Sequence, residues 1–177
     1  MRNNIIGFII ALLVIGFGGH QLNVQAAGAG FSIKPHYPSN QTAGSQTYYD
    51  LTVTPKATQT ITVTIINTED EPIVVTPKVQ TATTNLNGVV NYATSGTSDK
   101  TLQYKMTDLI KRDKPSYNVP ANASVNATFT LRAPAKSFDG VLAGGLSFAK
   151  KSANQTSQAS GQAQVANRFA YAVAILL

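Results

Sequence analysis

Very few side chains in this 177-residue chain could carry covalent chemistry. It has no cysteine and only two histidines. One histidine falls in an apolar leader; the other, His36, follows Pro35 in a stretch that reads as loop and surface. A Cys–His nucleophile is therefore excluded, and the common zinc sites, built from several nitrogen or sulfur ligands, are close to excluded. Eight carboxylates would allow a glycosidase-type acid pair in principle. Glu69, Asp70 and Glu71 share one turn, however, and Asp139 belongs to an Asp-Gly turn, so turn formation accounts for them more simply. Phosphate loops and dinucleotide fingerprints are absent. No catalytic residue, no metal ligand and no cofactor is expected.

Binding is the remaining option, and its candidates are amides and aromatic rings. Asn85, Asn87, Asn91 and Tyr92 ride on one hairpin signalled by Asn87-Gly88, and Tyr48 and Tyr49 lie on another strand. Pyranose rings present both C–H faces and hydroxyls, which suit aromatic faces and amide groups together. The competing reading keeps Asn87-Gly88 as a turn only and the tyrosines as packing.

The elements that would position these residues are strands. Residues 137–148 (SFDGVLAGGLSF) begin with the Asp139-Gly140 turn. They continue as a run in which Val141, Ala143 and Gly145 point one way and Leu142, Gly144, Leu146 and Phe148 the other. Such a strand is expected to be central and covered on both faces. Gly144 and Gly145 inside it predict a bulge or a close approach of another backbone.

Earlier in the chain, Phe31 and Ile33 give a short first strand, and residues 35–44 read as loop. Tyr49, Leu51 and Val53 then share one face, and Ile61, Val63 and Ile65 alternate with threonines. Ile73, Val75, Pro77 and Val79 recur at spacing two; Pro77 predicts an edge strand or a bulge. Residues 93–100 read as polar loop, 102–110 as a one- or two-turn helix or an irregular strand, and 115–120 as a brief extended piece. Val125, Ala127, Phe129 and Leu131 form another half-buried strand. After a polar stretch over 150–161, the segment 168–177 alternates Phe169, Tyr171, Val173, Ile175 and Leu177 with Ala170, Ala172, Ala174 and Leu176. Apolar on both faces, it is expected to be buried or to continue into something else. Seven to eight strands and at most one short helix predict an all-β, immunoglobulin-like sandwich without the Cys–Trp–Cys core.

Residues 5–17 are apolar, follow Arg2 and precede Val24-Gln25-Ala26. That pattern is a secretory signal peptide over 1–26, too short to span a bilayer comfortably; the alternative, a retained anchor, lacks a stop-transfer flank. Residues 27–177 then form one domain. Export without cysteine fits a Gram-positive surface. The formal charge is +6, from 14 basic and 8 acidic residues. The basic residues are scattered, so nucleic acid is not expected as a partner, whereas an anionic wall would attract the chain.

One ordered set of motifs runs through the chain: Tyr37-Pro-Ser-Asn-Gln41, Tyr49-Asp50-Leu51 before Pro55, Asn67-Thr68, Ala82-Thr-Thr-Asn85 with Asn87-Gly88 and Tyr92, Phe138-Asp-Gly-Val141 with Gly144-Gly145, and Asn167 with Tyr171. From about Phe31 to Leu177 it resembles the N-terminal, peptidoglycan-binding domain of the WxL-interacting proteins of Gram-positive bacteria. The resemblance implies a noncatalytic cell-surface protein whose partners are peptidoglycan and a WxL-domain surface protein. In that family a second, host-binding domain and a C-terminal membrane helix follow. These 177 residues match only the first domain of that pattern, so host binding and membrane anchoring are not expected of them. The alternative is a structural or chaperone-like sandwich that pairs strands with a partner during surface assembly.

Overall fold

The structure, a computed structural model, describes residues 29–42, 44, 47–93, 99–151 and 169–177. The signal segment 1–26, part of the polar loop 93–100, most of 150–161 and the Asn167 motif lie outside the described residues. Two sheets face each other. One has the order β1-β3-β9-β7, from β1 (Phe31–His36), β3 (Thr58–Asn67), β9 (Ser124–Arg132) and β7 (Ile110–Arg112). The other has the order β2-β11-β10-β4-β8, from β2 (Tyr49–Asp50), β11 (Ala170–Leu176), β10 (Ala143–Lys150), β4 (Ile73–Thr81) and β8 (Tyr117–Val119). All pairs are antiparallel except β2 with β11. A separate ribbon pairs β5 (Thr83–Thr84) with β6 (Val90–Asn91). The all-β sandwich expected from the alternations is the observed architecture. Among the described residues its nine sandwich strands exceed the expected seven to eight because β2, β7 and β8 are two or three residues long.

Alternation explains the core. Ile61, Val63 and Ile65 of β3 and Ala127, Phe129 and Leu131 of β9 are buried, while the threonines between them stay half-exposed. Across the gap, the Phe129 and Phe148 rings meet edge to face with centroids 6.0 Å apart. Helix α1 (Met106–Leu109) is the short helix expected near this position, and it buries Met106.

The central strand is β10, flanked by β11 and β4. It starts at Ala143 rather than Val141, which is 68% exposed. Residues 144–148 are buried on both faces. No bulge is present: β10 keeps one register along each neighbour, Gly145 opposite Ala174 and Gln80. The glycines answer to the second expectation, close approach. A Cβ on Gly145 would lie 2.3 Å from the Tyr92 carbonyl oxygen, and one on Gly144 would lie 2.5 Å from both the Gln80 carbonyl oxygen and Met106 Cγ. Real side chains do not tolerate such distances from backbone.

Three other expectations need correction. First, Pro35 and His36 are not loop: they continue β1, paired with Val63 and Thr62. Proline is tolerated there because β1 is an edge strand. His36 Nε2 lies 2.6 Å from Thr64 Oγ1.

Second, β4 is not an edge strand, since β10 and β8 flank it. The β8 pairing stops at Val75, however, so among the described residues no strand pairs with Pro77 on that side. Its carbonyl accepts a 3.0 Å bond from Arg112 Nη1 instead. In an antiparallel strand a residue's N–H and C=O point the same way, so the missing proline N–H breaks no ladder bond.

Third, β11 is not buried on both faces. Val173 and Ile175 are in the core, but Ala170 and Ala172 are exposed and Ala174 is half-exposed.

Candidate functional site

The hairpin carrying the amide candidates is closed by its own side chains. The Asn85 carbonyl accepts the Gly88 N–H at 3.0 Å, and Gly88 takes φ +76°, a backbone that glycine enters at no steric cost. Asn85 Oδ1 accepts the backbone N–H groups of Asn87 and Val89 at 2.9 and 3.0 Å. Asn91 Oδ1 accepts the Ala93 N–H at 2.8 Å. Both asparagines therefore spend their amide oxygens on turn geometry, which fixes the orientation of the amides.

Past Asn91 the chain crosses the outer face of the five-stranded sheet, with Tyr92 seated over Gly145. The crossing leaves a groove of about 460 Å³ between hairpin and sheet. One wall is Asn85, Val89, Val90, Asn91, Tyr92 and Ala93; the floor is Ala172 and Ala174; Thr47 and Tyr48 close the far side. Its volume lies within the range of ordinary small-molecule sites.

Of the residues singled out in the sequence, Asn85, Asn91, Tyr92 and Tyr48 meet at this groove. Asn87 does not line it; Asn87 sits exposed on the turn. Tyr49 is fully buried, and its hydroxyl donates to the Thr62 carbonyl at 2.8 Å. Burial pushes the Tyr49 hydroxyl well above the ordinary phenol value, while its backbone hydrogen bond with His36 acts the other way. Gly145 supports the groove from beneath through its contact with Tyr92. Asp139 and Gly140 lie elsewhere, in a turn where Gly140 takes φ +100°.

That turn borders a second cleft of about 440 Å³ at one end of the sandwich, whose lining includes Asp50, Lys136, Phe138, Gly140 and Val141. The sequence reading did not anticipate the Ala172–Ala174 floor. The signal is the small-residue face of β11, whose apolar character alone reads as buried.

Two of the clustered acids have structural partners. Glu69 pairs with Lys150, and Asp70 Oδ1 accepts from Asn122 Nδ2 at 2.9 Å. Asn67 is 2% exposed and sits at the centre of this corner. Its Nδ2 donates to the carbonyls of Glu71, Val119 and Pro120, and its Oδ1 accepts the Glu69 N–H. Asn40 and Gln41 likewise clasp the 37–42 loop: Asn40 Nδ2 donates to the Thr52 carbonyl, and Gln41 Oε1 accepts the Asp50 N–H. These motif residues close loops and a corner of the sandwich, and none of them lines the groove. Among the described residues no group of three or more His, Cys, Asp or Glu could hold a metal ion.

Residues 31–150 match the family model of the WxL Interacting Protein, peptidoglycan binding domain. The chain belongs to this family. No curated protein sequence matches it. Among solved structures, the ASH/PapD-like domain 7 of human CEP192 aligns over 90% of this chain and 92% of its own, at 9% identity and a TM-score of 0.47. The Escherichia coli chaperone DraB aligns over 83% of this chain and 54% of its own, at 12% identity and a TM-score of 0.43. A FixG-related protein from Vibrio parahaemolyticus aligns over 83% and 94%, at 11% identity and a TM-score of 0.41. The family's match takes in the whole hairpin, β10 and Gly145, but ends before the β11 floor of the groove.

Proposed function

We propose that this protein is a noncatalytic, exported cell-wall protein of a Gram-positive surface. In this reading it binds peptidoglycan through the groove between the β5–β6 hairpin and β11. The family's described role supplies the ligand class. The observation that carries the location is the Tyr92–Gly145 contact: a glycine in the central strand lets the hairpin backbone sit on the sheet and wall off a floor of bare alanines. A site that holds its shape before the ligand arrives loses less freedom on binding. The signal segment over 1–26 supports export, and the family's name supports a WxL-domain surface protein as a second partner.

Co-sedimentation with purified insoluble peptidoglycan tests the location. Tyr92→Ala should release the protein while Asn87→Ala, outside the groove, should leave retention unchanged. Equal retention of both variants would remove the groove from the account.

The strand-pairing alternative draws on one feature. Among the described residues β11 pairs with β2 only at Ile175 and Leu176, which leaves the backbone of its other end at a sheet edge. In that alternative a WxL partner would add a strand there. Backbone amide exchange at Ala170 and Ala172 would slow in the complex if it does.

A further inference from the structure

Peptidoglycan offers a binding site two chemistries. Its glycan strand is a chain of N-acetylated pyranoses rich in C–H faces, hydroxyls and acetamido groups, while its stem peptides carry carboxylates and amines. We infer that the hairpin groove recognises the glycan strand and not the stem peptides. The inference rests on the proposal that this groove is the peptidoglycan site, and goes on to name the part of the polymer it holds.

None of the described groove-lining residues is charged. A stem-peptide carboxylate or ammonium brought into the groove would lose water without meeting an opposite charge, which is costly. A neutral sugar has no such cost.

What the groove does offer matches a sugar group by group. Val89 and Val90 remain 58% and 44% exposed on its wall, and Ala172 and Ala174 give the floor methyl groups without branching side chains. Those surfaces suit the C–H face of a pyranose and the methyl of an acetamido group. Tyr48 and Tyr92 add aromatic rings, the usual platform for sugar faces. With Asn85 Oδ1 already accepting two backbone N–H groups, the amide's further contribution is its NH2 donor, which suits hydroxyl and acetamido oxygens. The floor is flat because β11 places alanine at 170, 172 and 174 on its outward face.

The test measures binding of the protein to three probes: insoluble peptidoglycan, a soluble tetramer of N-acetylglucosamine, and a soluble stem peptide without sugar. Ala172→Tyr fills the floor from an exposed position. Ala93→Trp fills the groove from the opposite wall, and melting curves confirm that both variants fold. The expected result is that the tetrasaccharide binds and competes with peptidoglycan whereas the peptide does neither. Both variants should weaken tetrasaccharide binding at least tenfold. Tetrasaccharide affinity should also change less than twofold between low and high salt, because no charge pair contributes.

Competition by the peptide alone, or by neither probe, while both variants still abolish peptidoglycan binding, would overturn the glycan assignment and leave the groove as the site. Undiminished peptidoglycan binding by both variants would overturn the groove itself, and the glycan assignment with it.

Discussion

Single residues decide how the frame is closed, and Tyr49 gives the clearest pH signature. Folding holds its proton where the unfolded chain would release it, near the ordinary phenol value of about 10. The folded state therefore binds more protons above that pH. The stability contributed by Tyr49 is complete below about pH 10 and falls as pH rises further. Tyr49→Phe should flatten that alkaline fall in denaturant midpoints. It should cost about 1 kcal/mol at neutral pH by leaving the Thr62 carbonyl without its donor.

Asn67 carries more. It holds three carbonyls and one N–H in a buried corner, so Asn67→Ala should cost about 2–3 kcal/mol or more in urea unfolding. A loss under about 0.5 kcal/mol, the size of an ordinary surface substitution, would mean that water replaces the amide freely. Gly145 acts on the site instead. Gly145→Ala should push the hairpin off the sheet, at about 1–3 kcal/mol of overpacking, and weaken peptidoglycan retention beyond what its melting shift explains.

Among the elements, β10 should be the least tolerant of truncation, since Leu146 and Phe148 are fully buried at the middle of a five-stranded sheet. Leu146→Ala should cost roughly 2–5 kcal/mol and Phe148→Ala roughly 3–5 kcal/mol by chemical denaturation. Both are large beside a typical domain stability of about 5–15 kcal/mol.

Period-two alternation made β3, β9 and the core half of β4 legible, because one buried face leaves a strict pattern. The Gly144-Gly145 pair was legible as a constraint but not as a choice between bulge and close approach. Which backbone would come near depended on Tyr92, 53 positions earlier, and sequence spacing does not report such contacts. Pro77 misled for a related reason. An edge exists at that one residue because β8 is short, although the strand as a whole is interior. At the site, the amides and tyrosines were visible as types. The floor was not, because alanines are apolar enough to be read as core and small enough to serve as an open surface. Asn87 was the most conspicuous hairpin signal, yet the turn it helps to form carries it away from the groove.

At the scale of the molecule, two kinds of attraction to the wall must be separated. The chain's formal charge of +6 draws it toward any anionic polymer, and that attraction fades with salt. The described lining of the groove is uncharged, so what it holds should stay held. Retention on peptidoglycan stripped of its anionic polymers, at an ionic strength near 1 M where screening reaches about 3 Å, isolates the second kind. The wild-type protein should remain bound under those conditions and Ala172→Tyr should wash away. Complete release of the wild type, or equal retention of the two, would contradict the groove as the seat of wall binding.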